Sequence, residues 1–159
     1  VACRRAPDGM AEIEFLGRSG VACDLVGEKL DESFVAVCLG GIDADALLAP
    51  LDQPLPGYVL MLDADAPLPN IAGLEHRLAA NPHYAYARRL GQLGRIAAHR
   101  CVDLKGTYQR FRVSQGQRLG DIKPPALLRS PADTAEFLAF LETESEIVLQ
   151  TQPARWRTA

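Results

Sequence analysis

The sequence lacks any apolar run that could cross a bilayer. Stretches such as Tyr58-Val59-Leu60-Met61-Leu62 are a handful of residues, against roughly 20 for a spanning helix. It lacks both common glycine-rich phosphate cradles, since neither G-x-G-x-x-G nor G-x-x-x-x-G-K-[S/T] occurs. ATP therefore has no self-contained site of either kind in this chain. The four cysteines, Cys3, Cys23, Cys38 and Cys101, include no C-x-x-C pair, and no histidine stands at metal-ligand spacing from one. A zinc site is not expected, and the thiols read as buried and reduced, as in a cytosolic protein. Positive charge is not in excess: 17 basic against 20 acidic residues leave a net charge of -3. Neither nucleic acid nor an anionic membrane is expected as a partner. There is no signal-sequence pattern, no internal repeat and no low-complexity stretch. Lysine is scarce. Lys29, Lys105 and Lys123 are the only three among the 17 basic residues, which marks them as candidates for positions that need a compact ammonium instead of a planar guanidinium. Compositional drift with three arbitrary survivors is the other explanation.

What remains is an ordinary globular composition: 159 residues, 48% hydrophobic and 23% charged. That suits one domain with a real core. The chain opens on Val1 and not on Met, and is expected to be a piece of a longer polypeptide.

Turn and period signals order the elements. Pro7-Asp8-Gly9 separates residues 1–5 from 11–16, where Ile13 and Phe15 alternate with Glu12 and Glu14; this predicts a hairpin. Residues 17–20, Gly-Arg-Ser-Gly, break it before an extended run over 21–26. Asp31 caps a helix carrying Phe34, Val35 and Cys38, stopped by Gly40-Gly41. Pro50, Pro54 and Pro56 suggest a loop with a short helical piece near residues 44–48. Residues 58–62 read as a buried strand. Pro69 opens a helix with Ile71, Leu74 and Leu78 on one face, and Asn81-Pro82 opens another with Tyr86, Leu90 and Leu93 along a stripe. A strand over 96–102 and a helix over 106–115 follow. Lys123, ahead of Pro124-Pro125, is held extended. Ser130-Pro131 starts a last helix that buries Phe137, Leu138 and Leu141, and residues 150–159 are a tail expected to fray. The class is α+β: a single small domain, a mixed sheet with a β-hairpin at the start and helices packed against it.

The stretch Glu14-Phe15-Leu16-Gly17-Arg18-Ser19-Gly20, followed by Glu28-Lys29-Leu30-Asp31-Glu32, resembles the motif that opens the mobile C-terminal domain of adenylate-forming enzymes. More narrowly it resembles the auxin-responsive acyl-acid amido synthetase family, which has many plant members and bacterial relatives. Asn81, Tyr84 and Arg88 match that family's N-x-x-Y-x-x-x-R spacing. Gly106-Thr107-Tyr108 is similar to its G-T-F, and Gly116 with Lys123-Pro124 to its late glycine, lysine and proline. The matches run in the family's order over about residues 11–129. Three positions depart from it: Gly20 replaces a joint residue that is often charged, the 106–123 loop is slightly short, and Pro124-Pro125 replaces a Thr before a single Pro.

The resemblance implies a lid domain over residues 1–129, with a hinge-side hairpin in 1–20 and an additional helix over 130–149. It implies ATP and Mg2+ in the complete enzyme and none bound by this piece alone. The partner it implies is an N-terminal adenylation domain of the same polypeptide, and the substrates a small carboxylic acid and an amino acid. This piece alone is expected to be inactive. Lys123 would supply charge to adenylation, or is an exposed loop lysine. Arg18 would approach the nucleotide, or braces a turn. Ser19 and Gly20 would form the pivot, glycine tolerating the φ/ψ change, or Gly20 is an ordinary turn residue. Tyr84 and Arg88 share a helix face and read as structural, Arg88 pairing a nearby acid. Asp31 and Glu32 read as a helix start, and His76, His83 and His99 as surface or core-edge residues. Two rivals stay open: the lid of an acyl-thioester ligase, and a stand-alone regulatory or protein-binding module.

Overall fold

Six residues in succession, Gly57 to Leu62, are buried, as a strand covered on both faces requires. This strand is the middle of the sheet. The computed structural model describes residues 2–5, 11–14, 22–67 and 69–151, with side chains over 22–67 and 69–144. Strand β1 (Ala2–Arg5) pairs antiparallel with β2 (Ala11–Glu14) in register Ala2↔Glu14 to Arg5↔Ala11. Helix α1 (Glu32–Leu39) leads into β3 (Ala46–Leu51) and the central β4 (Gly57–Asp63). Then come α2 (Ile71–Leu78), α3 (Pro82–Arg89), β5 (Ala97–Cys101), α4 (Leu104–Ser114), a 3-10 turn (Leu119–Asp121) and α5 (Pro131–Thr151). The main sheet has the order β3-β4-β5. The first pair is antiparallel and the second parallel, so the sheet is mixed and the class is α+β.

Side chains alternate across a strand, and β4 divides its own accordingly. Tyr58, Leu60 and Leu62 join the core beneath α1, α2 and α3, whereas Val59 and Met61 join the core beneath α4 and α5. The outer edge of β3 is also occupied. Leu127 forms a parallel bridge to Leu48, with Leu48 N–H donating to Ala126 O (2.8 Å) and Leu128 N–H to Leu48 O (2.9 Å).

Strand β3 replaces the loop and helical piece expected around Pro50. The nitrogen of Leu48 points away from β4, toward Ala126, and by the two-residue period so does that of Pro50. The donor proline lacks is therefore one the β4 ladder never uses, which is how an edge strand tolerates it. The extended run expected over 21–26 is, in its described part, one arm of a closed loop. Cys23 and Leu30 exchange both backbone hydrogen bonds (2.9 and 2.8 Å) around a bend that passes through Gly27 at φ +100°. Of the stripe expected along α3, Tyr86 and Leu90 are about half exposed (53% and 52%) and Leu93, past the end of the helix, is buried; within α3 it is Tyr84 and Ala87 that are buried. The Asn81 cap bonds to Glu28 O, and this cross-chain tie helps fix which face turns inward. Helix α2 takes Asn70 as its cap, with Pro69 one residue before it. No helix among the described residues is long and apolar enough to cross a membrane.

Candidate functional site

Lys123 sits in a segment fixed on both sides of it. Ile122 is buried in the α4–α5 core, Leu127 and Leu128 are buried against the sheet, and Lys123 and Pro124 between them are exposed. The Ala126 carbonyl accepts from Leu48, and the Ala126 N–H donates to Glu32 Oε1 (3.3 Å) at the start of α1. With prolines at 124 and 125 restricting the backbone, little freedom is left except in the lysine side chain itself.

That side chain stands at the wall of a cleft of about 320 Å3, bounded by α4, the start of α5 and Glu32. Arg112 and Arg129 supply further positive charge there, and Asp121, Glu32 and Asp133 negative charge. Most of these groups are engaged. Arg112 donates to Gln115 Oε1 (2.8 Å) and Gln117 Oε1 (3.2 Å), Glu32 holds Ala126, and Asp133 Oδ2 accepts from the Ser130 hydroxyl (3.1 Å). Among the described residues no acceptor binds the Lys123 ammonium. A stem held by its backbone with an uncommitted charge at its tip can present that charge to an anionic group arriving from outside.

Arg18, Ser19 and Gly20 lie outside the described residues. Tyr84 and Arg88 are structural in place: Tyr84 is buried, and Arg88 Nη2 pairs with Glu75 Oε1 (3.2 Å) while its Nη1 donates to Leu93 O (2.6 Å). Asp31 caps α1, accepting from Ser33 N (2.9 Å), and the Ser33 hydroxyl foremost holds its carboxyl below the usual range. His76, His83 and His99 are exposed. Cys23, Cys38 and Cys101 are buried free thiols, and burial pushes all three up, Cys101 to about 11. The side chain of Cys3 lies outside those described.

Two features escaped the sequence. One is a second cleft of about 510 Å3 at the C-terminal ends of β4 and β5, walled by Val102, Leu141 and Arg110. There Arg110 is already bonded to Asp103, Thr107 and Glu144. The other is Glu28, a fully buried carboxylate that holds the 22–30 loop. The sequence placed it in the Glu28–Glu32 stretch of the resemblance without giving it a role, and the turn before it was signalled by Asp24-x-x-Gly27, in which Gly27 N–H donates to Asp24 Oδ1 (2.6 Å).

No protein-family model matches the chain, and no curated protein does. Among solved structures, a GH3.15 acyl acid amido synthetase superposes on 80% of this chain with a TM-score of 0.52 at 16% identity. The fold is shared. This chain spans about a quarter of that protein's length (27%).

Proposed function

We propose that this chain is the C-terminal lid domain of an ATP-dependent acyl-acid amido synthetase and that Lys123 contributes charge to its adenylation step. The observation that carries the reading is the unpaired Lys123 ammonium on a fixed backbone at a concave, charged cleft. Support comes from the fold shared with part of an acyl acid amido synthetase and from the ordered motifs over about residues 11–129.

In this reading the carboxylate of a small acid attacks the α-phosphorus of ATP. A P–O bond forms, the bond to pyrophosphate breaks, and negative charge gathers on the phosphoryl oxygens and the leaving group. Lys123 meets that charge, and its flexible stem lets the ammonium follow moving oxygens. An amino-acid amine then attacks the acyl carbon, AMP departs with the electrons of the C–O bond, and the nitrogen loses a proton to give the amide. Positioning is the main demand of both steps. Among the described residues no group of three or more His, Cys, Asp and Glu side chains could hold a metal. The reading places ATP and Mg2+ in the complete enzyme, with an N-terminal adenylation domain of the same polypeptide that would cover the cleft. Arg18 would approach the nucleotide on closure, and Ser19 and Gly20 would be the pivot between the adenylating and amidating arrangements. The lid would comprise residues 1–129, and the setting would be the cytoplasm.

Lys123→Ala in the complete enzyme is the test. Acid-dependent ATP–pyrophosphate exchange is expected to fall about 10²- to 10³-fold, the scale for losing one transition-state charge contact. Amine transfer to preformed acyl-adenylate is expected to stay near the parent rate. Equal losses in both half-reactions would overturn the assignment.

A further inference from the structure

We infer that Glu28 is a positioning residue: its buried carboxylate clamps residues 22–30 onto β4 and makes that loop one rigid unit with the segment carrying Lys123. The inference deepens the lid reading and rests on it for its role in the reaction. Glu28 is 0% exposed, a state carboxylates avoid unless their oxygens are satisfied. No cation among the described residues pairs with it. Its partners are donors from the loop and the sheet instead. Leu25 N–H donates to Oε1 (2.9 Å), Val26 N–H to Oε2 (2.8 Å), and the Tyr58 hydroxyl of β4 to Oε1. Tyr58 also reaches Cys23 Sγ (3.6 Å), at the end of the loop that bridges to Leu30.

The loop's bend, its closing bridge and the central strand thus converge on one side chain. Three donors share two oxygens, an arrangement a carboxylate satisfies. Glutamine offers one acceptor oxygen and would turn its NH2 toward a loop N–H. An apolar residue would leave all three donors unpaired. Burial, followed by the Glu28 hydrogen bond, raises the Tyr58 hydroxyl above its ordinary range, which keeps it a donor.

From this clamp the ties continue without a gap. Asn81 Nδ2 donates to Glu28 O (3.1 Å), joining the loop to the α3 cap. Asp31 caps α1, and Glu32 in the first turn of α1 accepts the Ala126 N–H, three residues from Lys123. A lid that turns about residues 18–20 transmits that rotation to Lys123 only if the intervening chain does not flex. Residues 22–32 have the bonds to do this.

The experiment compares Glu28→Gln, Tyr58→Phe and Lys123→Ala in the complete enzyme, by hydrogen exchange of peptides covering 22–30 and 121–128 and by rates of both half-reactions per folded molecule. Glu28→Gln is expected to speed exchange in both peptides about tenfold, a loss on the scale of one buried hydrogen bond. Adenylation should lose kcat per folded molecule with KM for ATP and acid unchanged, while amine transfer stays near the parent rate, as a residue acting through Lys123 requires. A general loss of stability, once rates are taken per folded molecule, moves neither. Tyr58→Phe removes one donor and is expected to give a weaker version of the same pattern, and it carries the test alone if Glu28→Gln does not fold. Parent-like protection of 121–128, or an equal loss in both half-reactions, would overturn the inference. Should Lys123→Ala fail its half-reaction split while both peptides loosen in Glu28→Gln, the amido synthetase reading falls and the clamp stands.

Discussion

The two faces of the central sheet are built from different chemistry. Under α4 and α5 lies an aromatic cluster: the Phe137 ring is 5.5 Å from Tyr108 and 5.2 Å from Phe111, which in turn is 5.6 Å from Phe140. Under α1, α2 and α3 the core is as deeply buried but threaded with polar groups. These are the Glu28 carboxylate, the Tyr58 and Tyr84 hydroxyls, and the half-buried Glu75–Arg88 pair. Apolar burial is non-directional and rewards area, whereas buried hydrogen bonds reward one geometry and penalise others. The aromatic face therefore gives the Lys123 segment its footing through Ile122 and Leu128. The polar face specifies how the 22–30 loop and α3 are oriented. The aromatic face also buries polar side chains, Thr107 and Thr134, but these donate to the nearby Val102 and Ser130 carbonyls, whereas the ties of the other face join distant parts of the chain.

Phe137→Ala should break the aromatic face with the largest effect. Its ring is fully buried at the centre of the cluster, so a loss of about 3–5 kcal/mol is expected, read as a lowered denaturation midpoint at unchanged m. Glu75→Ala probes the polar face by a different mechanism. It removes the acceptor of Ile96 N–H (3.0 Å) and of Arg88 Nη2, leaving donors unpaired more than it leaves a void. A loss of about 2 kcal/mol is expected, and Glu75→Gln should recover part of it because the amide oxygen still accepts. Equal losses for Gln and Ala would show that packing, not donor satisfaction, governs this face.

The same division separates what the sequence made legible from what it did not. The buried strand at Tyr58, the Asn81-Pro82 helix start and the Phe137, Leu138, Leu141 face all follow from apolar period and capping, which act over a few neighbouring residues. Glu28 did not stand out. Its burial depends on a hydroxyl thirty positions away, and no local pattern announces that. Strand β3 was hidden for a related reason, since Pro50 is tolerated only because its nitrogen faces outward, and that direction is set by pairing. Tyr86 and Leu90 misled because apolar identity does not say which face a short helix turns inward. Lys123 was conspicuous through scarcity and its prolines, but the cleft beside it is assembled from Glu32, Arg112 and Arg129, three parts of the chain that meet only after folding.

A smaller effect should sharpen the picture at the start of α1. The Asp31 carboxyl is held below its ordinary value first by the Ser33 hydroxyl, against an opposing push from burial, with the Ser33 and Phe34 N–H groups adding smaller contributions. A depressed folded value means the cap stabilises fully above the unfolded carboxylate value of about 3.9 and fades as pH falls through the folded value. Asp31→Asn keeps an acceptor for Ser33 N–H but cannot titrate. At neutral pH it should change stability by less than about 1 kcal/mol, and it should flatten the acid limb of a Tm-against-pH curve. An unchanged acid limb would remove Asp31 from the account of acid sensitivity.

The smallest expected effect is the most discriminating. Tyr84 is 1% exposed, its ring lies 6.4 Å from that of Tyr58, and among the described residues its hydroxyl has no hydrogen-bond partner. Burial, with the Glu75 carboxylate next in weight, pushes it up to about 12, so it stays protonated and the hydroxyl is simply an unsatisfied polar group. Such a group costs about 1–3 kcal/mol in desolvation. Tyr84→Phe keeps the ring and removes that penalty, so stability should hold or rise by up to about 1 kcal/mol, whereas Tyr58→Phe, which strips a donor from Glu28, should lower it. Opposite signs for the same chemical change on two tyrosines of one face would show that directional pairing, not polarity itself, gives that face its value. A clear loss for Tyr84→Phe would instead mean that this hydroxyl is satisfied in solution by a bound water or a neighbour, and the polar face would be more fully paired than its geometry indicates.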